Sequence, residues 1–232
     1  MHRLLLALLP LFATPAAAQD TSALYDLRIL GLKLGEMRIV GRVAGGTYQA
    51  KSQFYTTGVT GALSGARFTA RSTGRATTSG LKPQRYSEDI NTGKRETSAR
   101  LSYRNGAPRV TGGTLAAEED RLDPATQRGT LDPMTALFEA LRLQPRDGLC
   151  QLDLTTFDGA RRSSFQLTGR AENGASVTCS GRYTRLQGFS DSAMRRQTVF
   201  PFSITYTPMG DLMQASAMQM RSSYGKVTLT RR

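Results

Sequence analysis

Residues 24–54 read LYDLRILGLKLGEMRIVGRVAGGTYQAKSQF, and their period decides the fold. Tyr25, Leu27 and Ile29 fall on one side of an extended chain and Asp26 and Arg28 on the other, the pattern of a half-buried strand. Gly31 and Gly35 mark a bend, after which Met37, Ile39 and Val43 alternate with Glu36, Arg38 and Arg42. Gly45-Gly46 supplies a tight turn, and Tyr48, Ala50 and Phe54 carry the alternation back, so the stretch predicts a β-hairpin.

The same pattern extends outward. Between Ala66 and Ser79, Phe68 and Ala70 point one way and Arg67, Arg71 and Arg75 the other, either as a stripe for an anionic ligand or as the solvated face of an antiparallel sheet. Strands are predicted at 83–90 and 95–103, with Asn91-Thr92-Gly93 and Asn105-Gly106 as turns. The period then changes. Asp132 suits an N-cap, Pro133 the first helical position, and Met134, Leu137, Phe138 and Leu141 recur at helical spacing, predicting one main helix over 133–143.

Beyond it, Leu152 and Leu154 run in phase with Cys150, Asp158-Gly159 and Asn173-Gly174 read as turns, and Val177, Cys179 and Tyr183 share a face. Phe200, Phe202, Ile204 and Tyr206 alternate, and further strands are expected at 212–221 and 224–230. The helix must bury its apolar stripe, and the available partner is a concave sheet. The expected fold is mainly β: a single domain with a strongly curved antiparallel sheet, half-barrel or barrel-like, packed around one main helix. Met134, Leu137, Phe138, Leu141, Phe200 and Phe202 are the candidates to line either its core or an apolar ligand space.

The chain opens with His2 and Arg3, an apolar run from Leu4 to Phe12, and Ala16-Ala17-Ala18, the three-part layout of a secretory signal peptide. The expectation is export to the periplasm, cleavage after Ala18, and one β-rich domain over 19–232. The apolar run falls short of the roughly 20 residues that span a bilayer, and no later segment approaches that length. In an oxidising compartment the two cysteines, Cys150 and Cys179, are expected to pair. The formal charge is +13, almost all of it from arginine, with lysine only at 33, 51, 82, 94 and 226. A surface this basic attracts polyanions, which outside the cytoplasm means lipid headgroups and wall polymers rather than nucleic acid.

The single histidine, His2, would leave with the signal peptide, and with it Ser-His-Asp, Cys-His and His-metal chemistry. Ser79-Gly80-Leu81-Lys82 matches a Ser-x-x-Lys string but lies in β surroundings before Pro83. Glu118, Glu119, Asp120 and Asp123 could supply paired carboxylates for a hydrolase, or a calcium site, but read first as solvated charge on a loop. Met209, Met213, Met218 and Met220 read as core filling, or as a flexible apolar lining. No catalytic, cofactor-binding or metal-ligating residue is therefore predicted.

Three motifs together carry a family pattern: Tyr25-x-Leu27 running into Gly31-Leu32-x-Leu34-Gly35, Leu131-Asp132-Pro133-Met134-x-Ala136-Leu137, and Phe157-Asp158-Gly159-x-Arg161-Arg162. The chain resembles the exported bacterial family labelled domain of unknown function 3108, from about Leu24 onward. The resemblance implies a secreted or periplasmic protein with no assigned activity. That family in turn is similar in architecture to the curved sheet and enclosed helix of periplasmic lipoprotein carriers, which bind acyl chains. The leading expectation is a non-catalytic envelope protein holding an apolar or amphiphilic ligand. The alternatives are a module whose basic face docks on anionic polymers or a partner protein, and a carboxylate-based hydrolase.

Overall fold

The period-two alternation builds strands along nearly the whole chain. A computed structural model describes residues 18–58, 65–222 and 225–232. The first group of strands is β1 (Gln19–Ile29), β2 (Leu32–Ala44), β3 (Thr47–Thr56), β4 (Arg67–Thr77), β5 (Gly80–Asn91), β6 (Glu96–Arg104) and β7 (Ala107–Gly112). The second is β8 (Leu152–Phe157), β9 (Arg162–Asn173), β10 (Ser176–Gln187), β11 (Val199–Met209), β12 (Leu212–Ser222) and β13 (Gly225–Arg231). The predicted signal peptide lies almost wholly outside the described residues, as does Tyr224.

All thirteen strands join one antiparallel sheet in the order β7-β6-β5-β4-β3-β2-β1-β13-β12-β11-β10-β9-β8. Two meanders thus meet at the centre, where β1 pairs with β13 from Tyr25↔Arg231 to Ile29↔Val227. The sheet is curved but does not close. Register shifts interrupt five of the strand pairs, between Leu27 and Arg28 opposite Gly35 for instance, and such bulges bend a strand and tighten its twist. The bend read at Gly35 is therefore a bulge inside β2.

The connection from β7 to β8 must cross from one sheet edge to the other, and it carries the main helix, α1 (Pro133–Leu141). α1 ends two residues earlier than its apolar period suggests, because Arg142 takes an extended conformation as C-cap. Before α1 the same crossing holds the edges together: Gly129 N donates to Gly106 O (2.8 Å), Leu131 N to Thr155 O (2.9 Å) and Phe157 N to Leu131 O (2.8 Å). Leu131 so covers the free edge of β8, which would otherwise offer unpaired backbone groups. A second helix, α2 (Asp191–Arg196), escaped the period analysis because six residues make less than two turns.

α1 lies on the concave side of the sheet. Met134, Phe138, Ala140 and Leu141 are buried, and the Phe138 ring sits against the backbone of β2 at Gly41, where a Cβ would stand 2.4 Å from Cε2. Only glycine fits there. Both helix ends are satisfied by side chains: Asp132 Oδ1 accepts from Thr135 N (2.8 Å), while Tyr206 Oη and Gln144 Nε2 donate to Ala140 O and Gln144 Nε2 also to Glu139 O.

The cysteines are bonded as expected, with Cα atoms 5.1 Å apart. Cys179 sits in β10, but Cys150 is not in a strand. Its φ of 67° places it in a left-handed turn ahead of β8, so the period shared with Leu152 and Leu154 stops one residue short of it.

Candidate functional site

Polar residues at inward positions come together beneath α1. Thr135 Oγ1 and Ser72 Oγ donate to Asp132 Oδ2 at 2.6 and 2.9 Å, and Tyr48 Oη lies 2.6 Å from Thr135 Oγ1 and 3.0 Å from Ser72 Oγ. A hydroxyl beside a carboxylate is the geometry of an activated nucleophile. Here, however, Asp132 and Thr135 are fully buried, Ser72 is 1% exposed and Tyr48 3%, so the cluster locks the start of α1 to β3 and β4. Burial, opposed by three donated hydrogen bonds, pushes the Asp132 carboxyl up to about 6.

A second buried acid, Glu88, accepts from Tyr86 Oη at 2.6 Å. Burial pushes it up to about 7. Sequence reading found Asp132 only as a cap and did not single out Glu88, although Tyr86, Glu88 and Ile90 share one phase of β5.

The other sequence candidates separate. Met134, Phe138, Leu141, Phe200 and Phe202 are buried core, and Leu137 packs beside them half-buried. Met213 is buried, Met218 and Met220 flank the core, and Met209 is exposed. Glu118 bonds both Arg95 and Arg161, Asp123 caps a 3-10 turn, and Glu119 and Asp120 face solvent. Ser79 and Lys82 lie on a turn and the start of β5, not on a helix. No group of three or more potential metal-ligating side chains occurs among the described residues.

The outer face is different. Arg67, Arg71 and Arg75 do point outward along β4, but Arg67 is bonded to Glu96, and the charge gathers across the strands instead. Register places Ser22, Val40, Lys51, Arg71, Ser87 and Arg100 side by side on β1 to β6. Lys51 and Arg71 are directly opposite each other, a like-charge pair that destabilises a sheet. Neither they nor Arg100 has an ion-pair partner among the described residues.

Three depressions run together over this row. One of about 590 Å³ is lined by Arg42, Lys51 and Arg71, one of about 490 Å³ by Arg71, Arg85 and Arg100, and one of about 410 Å³ by Arg42, Gln49 and Arg85. Asp20, 3.7 Å from Arg42, is the single carboxylate lining any of them. None of the three includes a residue of α1.

Fold and outer face define an open antiparallel sheet wrapped on one helix, with a cation-lined trough on its convex side. Residues 24–183 match the family model described as protein of unknown function (DUF3108), and the chain belongs to that family. Neither the curated proteins nor the solved structures contain a match.

Proposed function

We propose that this is an exported, non-catalytic binding protein of the bacterial envelope that holds an anionic polymer along the trough on the outer face of β2 to β6. One observation carries the reading: Lys51 and Arg71 face each other across β3 and β4, with Arg100 two strands further on, and none of the three has an ion-pair partner among the described residues. Self-repulsion of this kind is relieved by a bound polyanion, whose repeated charges match a row of cations better than a single ion does. The flanking Ser22, Ser87 and Thr73 add hydroxyl groups. The Cys150–Cys179 bond and the opening signal-like sequence support the oxidising compartment. Burial of Met134, Phe138 and Leu141 favours the outer face over a ligand held beside α1.

Titration calorimetry with polyphosphate and with polygalacturonate distinguishes phosphate from carboxylate recognition. Binding should weaken steeply with salt, and Lys51→Glu with Arg71→Glu should lower it about tenfold or more. If neither polymer binds, or the double variant binds as well as the parent, the reading fails.

A further inference from the structure

Among the described residues, six large apolar side chains are exposed, and five of them crowd one end of the sheet. Because every neighbouring pair is antiparallel, the rim where β1 ends is also where β3, β10 and β12 end and where β2, β11 and β13 begin. Leu30 (70% exposed), Leu32 (73%), Tyr55, Val199 and Leu186 all sit there. They lie on or beside β3, β2, β1, β11 and β10, within an unbroken arc of seven adjacent strands. Met209, the sixth, is at the opposite rim.

The turn that carries the most exposed pair is built against local preference. Leu30 and Gly31 have φ of 50° and 86°, the two left-handed positions of a type I′ turn. The turn at Asn105-Gly106, with φ of 51° and 75°, uses the asparagine that tolerates this conformation. At Leu30 a leucine occupies the strained position while its side chain gains little burial.

Cations border the same arc. Arg221 and Lys226 oppose each other across β12 and β13, Lys226 O accepts from Leu30 N (3.0 Å), and Arg195 and Arg196 close α2 between β10 and β11. None of the four has an ion-pair partner among the described residues. Asp26 and Glu36, further down β1 and β2, are already bonded to Lys33 and Arg232.

We propose that this rim docks the protein on an anionic lipid bilayer, with Leu30 and Leu32 entering the boundary between headgroups and acyl chains and Arg221 and Lys226 meeting lipid phosphates. Protruding leucines at a turn, strung along an edge and bordered by unpaired cations, match a surface that is apolar below and anionic above. A protein partner would instead need a broad complementary patch. No helix among the described residues is long and apolar enough to cross a membrane.

The test is co-sedimentation of the purified protein with phosphatidylcholine vesicles containing or lacking phosphatidylglycerol. The protein should bind the anionic vesicles, and Leu30→Asn with Leu32→Asn should cut the partition at least about tenfold. Leu30→Asn alone should also raise the melting temperature, since asparagine suits the left-handed position, which separates lost docking from lost folding. Arg221→Glu with Lys226→Glu should abolish the preference for phosphatidylglycerol. Absence of vesicle binding by the parent protein, unchanged binding by the leucine variant, or capture of a partner protein without vesicle binding would overturn the proposal. Lys51 and Arg71 sit at mid-strand on the outer face of β3 and β4, away from the rim, so their variants should still sediment, and the two readings stand or fall separately.

Discussion

Glu88 is 6% exposed and has one hydrogen-bond donor, Tyr86, so its charge is poorly compensated. Its carboxyl rises from 4.5 to about 7 on folding, which means that between those values the native state holds a proton that the unfolded chain has released. Stability from this group is therefore fully present below about pH 4.5 and is lost as pH rises through about 7. Glu88→Gln keeps the shape and removes the titration. Urea melts of the variant should show a flatter fall in stability over that range, with the parent losing up to about 3 kcal/mol more. Tyr103 offers a simpler case: its buried hydroxyl has no hydrogen-bond partner among the described residues. Tyr103→Phe removes an uncompensated polar group and should leave stability unchanged or raise it by about 1 kcal/mol, read from the same melts.

The weight on α1 falls at its first turn, where Asp132 caps Thr135 N and also receives the hydroxyls of Thr135 and Ser72. Asp132→Ala removes the cap and takes the charged acceptor from two buried hydroxyls, which keep only Tyr48, Arg85 O and each other, and should cost about 3 kcal/mol in denaturant melts. Asp132→Asn keeps an acceptor for the cap, lets the hydroxyls reorient, and should cost much less while removing a titration near 6. The position of this helix was legible in the sequence because capping chemistry and a 3.6-residue period are local signals. Its partners were not: Tyr48 and Ser72 lie 87 and 63 residues before Thr135, and polar residues at inward strand positions interrupt the apolar alternation. The basic face shows the same division. Arg67, Arg71 and Arg75 were visible because they repeat along one strand, whereas Lys51, Arg71 and Arg100 become neighbours only through register.

At the scale of the whole molecule the open sheet leaves β8 at an edge, and three devices hold that edge. Leu131 bonds it from outside, β9 pairs with it from Leu152↔Leu167 to Phe157↔Arg162, and the disulfide ties the turn before it to β10, one strand further in. Period-two reasoning placed Cys150 in the strand, because alternation records which face a residue occupies and not its backbone angle. The left-handed conformation at Cys150 costs about 1–2 kcal/mol for a residue with a side chain, and the bond across to Cys179 holds the chain in it. Closing a loop between positions 29 residues apart should also stabilise the fold by about 3.5 kcal/mol, through the entropy of the unfolded chain. Reduction removes both effects at once. The paired variant Cys150→Ser with Cys179→Ser should melt lower by about that amount. Amide exchange should separate the two contributions: a purely global loss lowers protection evenly across the sheet, whereas release of the strained turn exposes Leu152 to Leu154 first and leaves β1 and β13, at the centre, protected to the global limit. Equal loss of protection at β8 and β1 in the variant would show that the bond acts through the unfolded chain alone, with Leu131 and β9 sufficient to hold the edge.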